Sequence, residues 1–183
     1  FNKSLYQGRP DTIVNELIHQ SQPRRIHSDR VSIGIEEGLT ETLADLKIDG
    51  VNKYTPTKDL PSKHLVYPVE KAVVQGLLHF NKANGASDEA SQRLLETASG
   101  KTASKRLAYI AGEITNSSLD KQKLVAGCSA LLNDPSISKQ IFGHPQIIKV
   151  INSHPHKSGA QVVAVEDCIN QTILSFLNKR LAS

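Results

Sequence analysis

Pro68-Val69-Glu70-Lys71-Ala72-Val73-Val74-Gln75-Gly76-Leu77-Leu78-His79-Phe80 decides the fold class. Val69, Ala72, Val73, Gly76, Leu77 and Phe80 recur at helical spacing, and Val74 and Leu78 widen the stripe beyond a single face. Pro68 suits a first helical turn, where its missing N–H has no partner to lose. A helix apolar over so much of its circumference belongs at the centre of a bundle.

The chain after this stretch continues in the same way. Asn84-Gly85 is a stop, and Ser87 caps a helix with Asp88 and Glu89 in its first turn and Leu94 and Leu95 inward. Gly100 ends that helix and Thr102 opens the next, where Leu107, Ile110, Ala111 and Ile114 share a face. Ser118 starts another, carrying Leu124, Val125, Cys128, Leu131 and Leu132, and Asp134-Pro135 breaks it. Two short helices come next, over Ser136–Phe142 and Pro145–Asn152, then a turn, then a long helix from Ala160 to Leu181. Helix openings near Pro68, Thr102 and Pro135 are evenly spaced, but they share no residue pattern of the kind that marks a true repeat.

The N-terminal third reads differently. Asp11 caps a short helix through Gln20. Val31, Ile33 and Ile35 alternate with Ser32 and Gly34, a period of two that predicts a short extended piece. A helix over Glu36–Lys47 succeeds it, with Glu36 and Glu37 placed for its N-terminal dipole and Leu39, Leu43 and Leu46 for its buried face. Residues 51–67, with Pro56 and Pro61, form a connector. The expectation is a mainly α bundle of seven to nine helices, with an irregular segment over 1–67 packed on a compact bundle over 68–183.

Composition bounds the function. The chain has 183 residues, enough for one domain that folds without a metal or disulfide. No apolar run is long enough to cross a bilayer, and no apolar stretch after Lys3 makes a signal sequence. Met is absent even at position 1, so the chain is expected to be part of a longer protein. The expected location is intracellular and cytoplasmic, with Cys128 and Cys168 as reduced thiols. The net charge of +4 arises in residues 68–183, which carry thirteen basic and nine acidic side chains.

Each chemical motif meets a simpler explanation. Ser99-Gly100-Lys101-Thr102 resembles the end of a phosphate loop, but Leu95 stands where that motif needs glycine, and a helix precedes it. His154 and His156 flank Pro155 without an adjacent third ligand, and two histidines spaced i, i+4 on a helix are absent. Cys168 comes after Glu166-Asp167, an acidic setting that discourages a thiolate. The basic residues Arg93, Lys101, Lys105 and Arg106 bracket one helix junction and are the candidate contacts for an anion.

From these residues the leading expectation is a non-catalytic helical interaction or scaffold module that binds another protein, with no cofactor and no metal. The alternative is binding of nucleic acid or anionic phospholipid through the Arg93 to Arg106 junction. A thiol or metal enzyme stands third.

Overall fold

The computed structural model describes residues 17–22, 29–52, 67–143, 145 and 159–183. The fold is all helical over these residues, with seven helices and no strand. They are α1 (Arg30–Asn52), α2 (Pro68–Ala83), α3 (Asp88–Ser99), α4 (Ala103–Ile114), α5 (Ser118–Asn133), α6 (Pro135–Phe142) and α7 (Gly159–Ala182). Residues 17–21 form a further helical turn. Most of the expected Asp11–Gln20 helix, the expected Pro145–Asn152 helix and most of the 51–67 connector lie outside the described residues.

The extended piece expected at Val31–Ile35 is helix, continuous with the turns that carry Glu36 to Lys47. The reason lies one residue upstream of α1. Asp29 accepts hydrogen bonds from the Ser32 N–H at 2.9 Å and the Ser32 hydroxyl at 2.8 Å. These bonds use a backbone donor left unpaired at a helix start, so the helix begins here and not at Glu36. They also hold the Asp29 carboxyl below its ordinary pKa. Within the helix, Ile35, Leu39 and Leu43 lie one turn apart and are buried. Leu46, expected on that face, is partly exposed.

α1, not α2 alone, is central, and it packs against α2, α3, α4 and α5. Two small residues allow this. A Cβ at Gly38 would overlap the backbone carbonyl of Glu70 in α2, and one at Gly34 would come within 2.9 Å of the Leu132 side chain. α1 also buries Ser32, Glu36, Glu37, Thr40 and Thr42. Glu36 and Glu37, expected at a helix start, are therefore interior groups well inside the helix.

α2 keeps the expected start at Pro68, with Val73, Val74 and Leu77 fully buried. Gly85 takes the positive φ of 91° that its place after α2 requires. Ser87 caps α3 by accepting from the Ala90 N–H, and α5 opens at Ser118 as expected, capped by Ser117 accepting from the Asp120 N–H. α7 packs on α2 and α5, and Gly76 and Gly127 leave room for Leu177. Lys71 of α2 pairs with Asp45 of α1 at 2.6 Å and Glu166 of α7 at 2.8 Å, tying three helices together.

Candidate functional site

The buried polar side of α1 is the place where chemistry-bearing groups meet. Glu36 and Glu37 are consecutive, so a helix points them in directions about 100° apart. His19, on the turn over 17–21, lies against both. Its Nδ1 is 3.5 Å from Glu36 Oε1 and its Nε2 is 3.1 Å from Glu37 Oε2. The side chains are 22% exposed for His19, 5% for Glu36 and 11% for Glu37, so solvent reaches the group from the histidine side.

Glu36 is held from its other side. Arg106 of α4 is fully buried and donates from Nη1 to Glu36 Oε2 at 2.8 Å. Its Nε donates to the Lys101 carbonyl at 3.1 Å and its Nη2 to the Ser99 carbonyl at 3.2 Å. The guanidinium thus fixes the carboxylate and also serves the last carbonyl of α3, at Ser99, which lacks an intrahelical partner, and the Lys101 carbonyl in the turn after it.

One turn further along α1, Thr40 accepts a hydrogen bond from Gln22 Nε2 at 3.0 Å. Thr40 is fully buried and Gln22 is 8% exposed. Gln22 Oε1 is buried without a hydrogen-bond partner. Exchanging the amide N and O would change which end lacks a partner but would not supply one. A buried polar atom of this kind normally bonds to a water or ligand.

The basic junction divides. Arg93, Lys101 and Lys105 are exposed around the α3–α4 turn. The Lys101 ammonium lies 4.9 Å over the Tyr109 ring. Arg106, grouped with them by sequence, is turned into the core toward Glu36, and an anion at this surface has three of the four cations to meet. Its burial reflects the α4 pattern: Arg106 is adjacent to Leu107 and one turn from Ile110, on the inward side.

The remaining candidates can be placed as well. Ser99-Gly100-Lys101-Thr102 is the junction of α3 and α4, with helix on both sides. Cys128 and Cys168 are free thiols. Burial pushes the Cys128 thiol up to about 12, which suppresses the nucleophilic thiolate. His79 is exposed beside Phe80, and His154 and His156 lie outside the described residues. Among the described residues, no group of three His, Cys, Asp or Glu side chains is placed to hold a metal ion.

Sequence reasoning misses the His19–Glu36–Glu37 group, although two signals for it exist. Glu36 and Glu37 follow the apolar Val31, Ile33 and Ile35 directly, at positions a helix brings toward the same core. Asn15-Glu16-Leu17-Ile18-His19 differs by one residue from H-E-x-x-H, the helical pattern in which two histidines hold zinc and the glutamate acts as base. A search for two histidines at that spacing passes over it because Asn15 replaces the first. Asn15 and Glu16 themselves lie outside the described residues.

No protein-family model matches the chain, and no curated protein or solved structure is significantly similar to it. No helix among the described residues is long and apolar enough to cross a membrane.

Proposed function

We propose that the chain is a helical hydrolase-type domain whose working centre is His19 with Glu36 and Glu37. The observation that carries this reading is an imidazole held between two buried carboxylates of one helix. Burying two acids and a histidine together is a costly way to stabilise a bundle, since apolar side chains of similar size usually do it as well or better. A carboxylate paired with an imidazole and open to solvent on one side is instead suited to exchanging a proton with a water.

The test is hydrolysis of an internally quenched peptide pool and of a nitrophenyl ester. The intact chain is expected to turn over one of them. Glu37→Gln is expected to lower the rate by about 100-fold or more, while Leu119→Ala, on the exposed start of α5, leaves it unchanged. A wild-type chain that hydrolyses neither class overturns this reading.

A second reading keeps the domain as a non-catalytic module that binds another protein. Asn15 favours it, because an amide cannot replace the imidazole of H-E-x-x-H as a ligand of equal strength. On that reading the helices are a rigid frame, and the centre serves binding and not turnover.

A further inference from the structure

We infer that the turn over residues 17–22 is a pH-sensitive latch, held on α1 by a proton on His19 and released when that proton leaves. The latch lies over the centre proposed above, so its effect on turnover rests on that reading, whereas the latch itself stands without it.

Both ring nitrogens of His19 face carboxylate oxygens of α1, Nδ1 that of Glu36 at 3.5 Å and Nε2 that of Glu37 at 3.1 Å. A neutral imidazole carries one N–H and one lone pair. With His19 neutral, one contact is a hydrogen bond and the other sets a lone pair against an anionic oxygen. With His19 protonated, both nitrogens donate. Arg106 of α4 stands behind Glu36 at 2.8 Å and offsets its charge, which makes the closer contact, with Glu37, the stronger of the two. Glu41 follows one turn after Glu37 on the same helix. Both carboxylates are buried, so salt and water screen their attraction for the imidazolium weakly.

The rest of the turn is lightly anchored. Ile18 is buried in the core, while its neighbour Leu17 is 59% exposed. Gln22 Nε2 donates to Thr40 Oγ1 at 3.0 Å, but Gln22 Oε1 is buried without a hydrogen-bond partner. An unpartnered buried acceptor costs free energy that release into water recovers. A short turn with one buried apolar side chain opens ahead of the fold as a whole, whereas α1 is fixed in the bundle by Ile35, Leu39 and Leu43. The state of the His19 ion pairs therefore decides whether the turn stays down.

The docked turn holds the His19 proton more tightly than the released turn, because docking places the imidazole against two carboxylates. Docking is therefore strongest below the ordinary histidine range, about pH 6.5, and weakens as pH rises above it. Release uncovers Glu36, Glu37 and Thr40 on the polar side of α1 and takes His19 away from them. A centre that needs the imidazole beside Glu37 then loses turnover in alkaline solution.

The experiment is hydrogen–deuterium exchange of the full chain at about pH 6 and pH 9, on either side of the histidine range, read by mass spectrometry and corrected for intrinsic rates. Protection of residues 17–22 in the wild type is expected to fall by about 10-fold or more at the higher pH, while residues 72–78 of α2 keep theirs. Glu37→Gln gives the neutral imidazole an amide N–H to accept from, so its turn is expected to stay protected at both pH values. His19→Gln has no proton to lose and is expected to show no pH step. Unchanged wild-type protection, an equal fall in α2, or a wild-type step in His19→Gln overturns the inference. So does a Glu37→Gln turn that keeps the step or is loose at both pH values, the second being the mark of a merely structural contact. If His19→Gln does not fold, Glu37→Gln decides. Exchange needs no substrate: a pH step without hydrolysis supports the latch and removes the hydrolase reading, and hydrolysis with a pH-independent turn overturns the latch and leaves the centre.

Discussion

The guanidinium of Arg106 donates to the carboxylate of Glu36 at 2.8 Å, across seventy positions of sequence and inside the core. Both groups are withdrawn from water, Arg106 completely. The pair joins α4 to α1 and sets the orientation of the acid behind His19. Removing one member leaves the other charged and buried. Arg106→Leu is therefore expected to destabilise the fold by about 3–5 kcal/mol, lowering the melting temperature by roughly 10 °C or more. Adding Glu36→Gln to Arg106→Leu should recover part of the loss, because the remaining buried group is then neutral. Urea denaturation of the two single variants and the double variant checks this, and strictly additive losses would contradict it.

A second expectation concerns the crossing of α1 and α2. A Cβ on Gly38 meets the backbone carbonyl of Glu70, and backbone cannot swing aside as a side-chain tip can. Gly38→Ala should cost about 3 kcal/mol despite the better helix propensity of alanine. Gly100→Ala is the control, since Gly100 has an ordinary φ of −73° and no contact closer than 3.5 Å. Its melting temperature should stay near that of the wild type.

The two thiols should separate under a thiol reagent. Cys128 is buried with its pKa pushed up to about 12, and Cys168 is half-buried. At pH 8 and native conditions Cys168 is expected to react first. Cys128 should react only at the rate at which the fold opens. Equal rates for Cys128→Ser and Cys168→Ser variants would contradict this placement.

Lys71 predicts an alkaline effect. Burial pulls its pKa down, but the carboxylates of Asp45 and Glu166 outweigh that and leave it above the ordinary 10.5. The folded chain therefore holds this proton more tightly than the unfolded chain. The resulting stability is complete below about pH 10.5, the unfolded value, and is lost as pH rises through the higher folded value. The stability gap between wild type and Lys71→Met, measured in urea at pH 8 and pH 11.5, should narrow at the higher pH. A gap that widens would be the wrong sign.

Much of the helical frame is legible from apolar spacing. Pro68, Gly85, Ser87 and Asp134-Pro135 mark real boundaries, and Leu77, Leu95, Ile110 and Leu124 are buried where periodicity puts them. The start of α1 is hidden because Val31, Ile33 and Ile35 also fit a strand, and only the Asp29–Ser32 cap decides between the two. The centrality of α1 is hidden by its composition. Glu36 and Glu37 suit a helix start by their charge, and only tertiary partners such as His19, Gln22 and Arg106 make the burial of Glu36, Glu37 and Thr40 tolerable. The same partnership takes Arg106 from an expected surface cluster into the core. Spacing on a helix cannot tell an arginine beside apolar residues from one reaching past them to a distant acid.

The most direct test is turnover of the quenched peptide pool and the nitrophenyl ester by the wild type and Glu37→Gln side by side. Hydrolysis of one substrate by the wild type, with a loss of about 100-fold or more in Glu37→Gln, is the expected result. Hydrolysis of neither, or an unchanged rate in Glu37→Gln, would contradict a working centre at His19, Glu36 and Glu37.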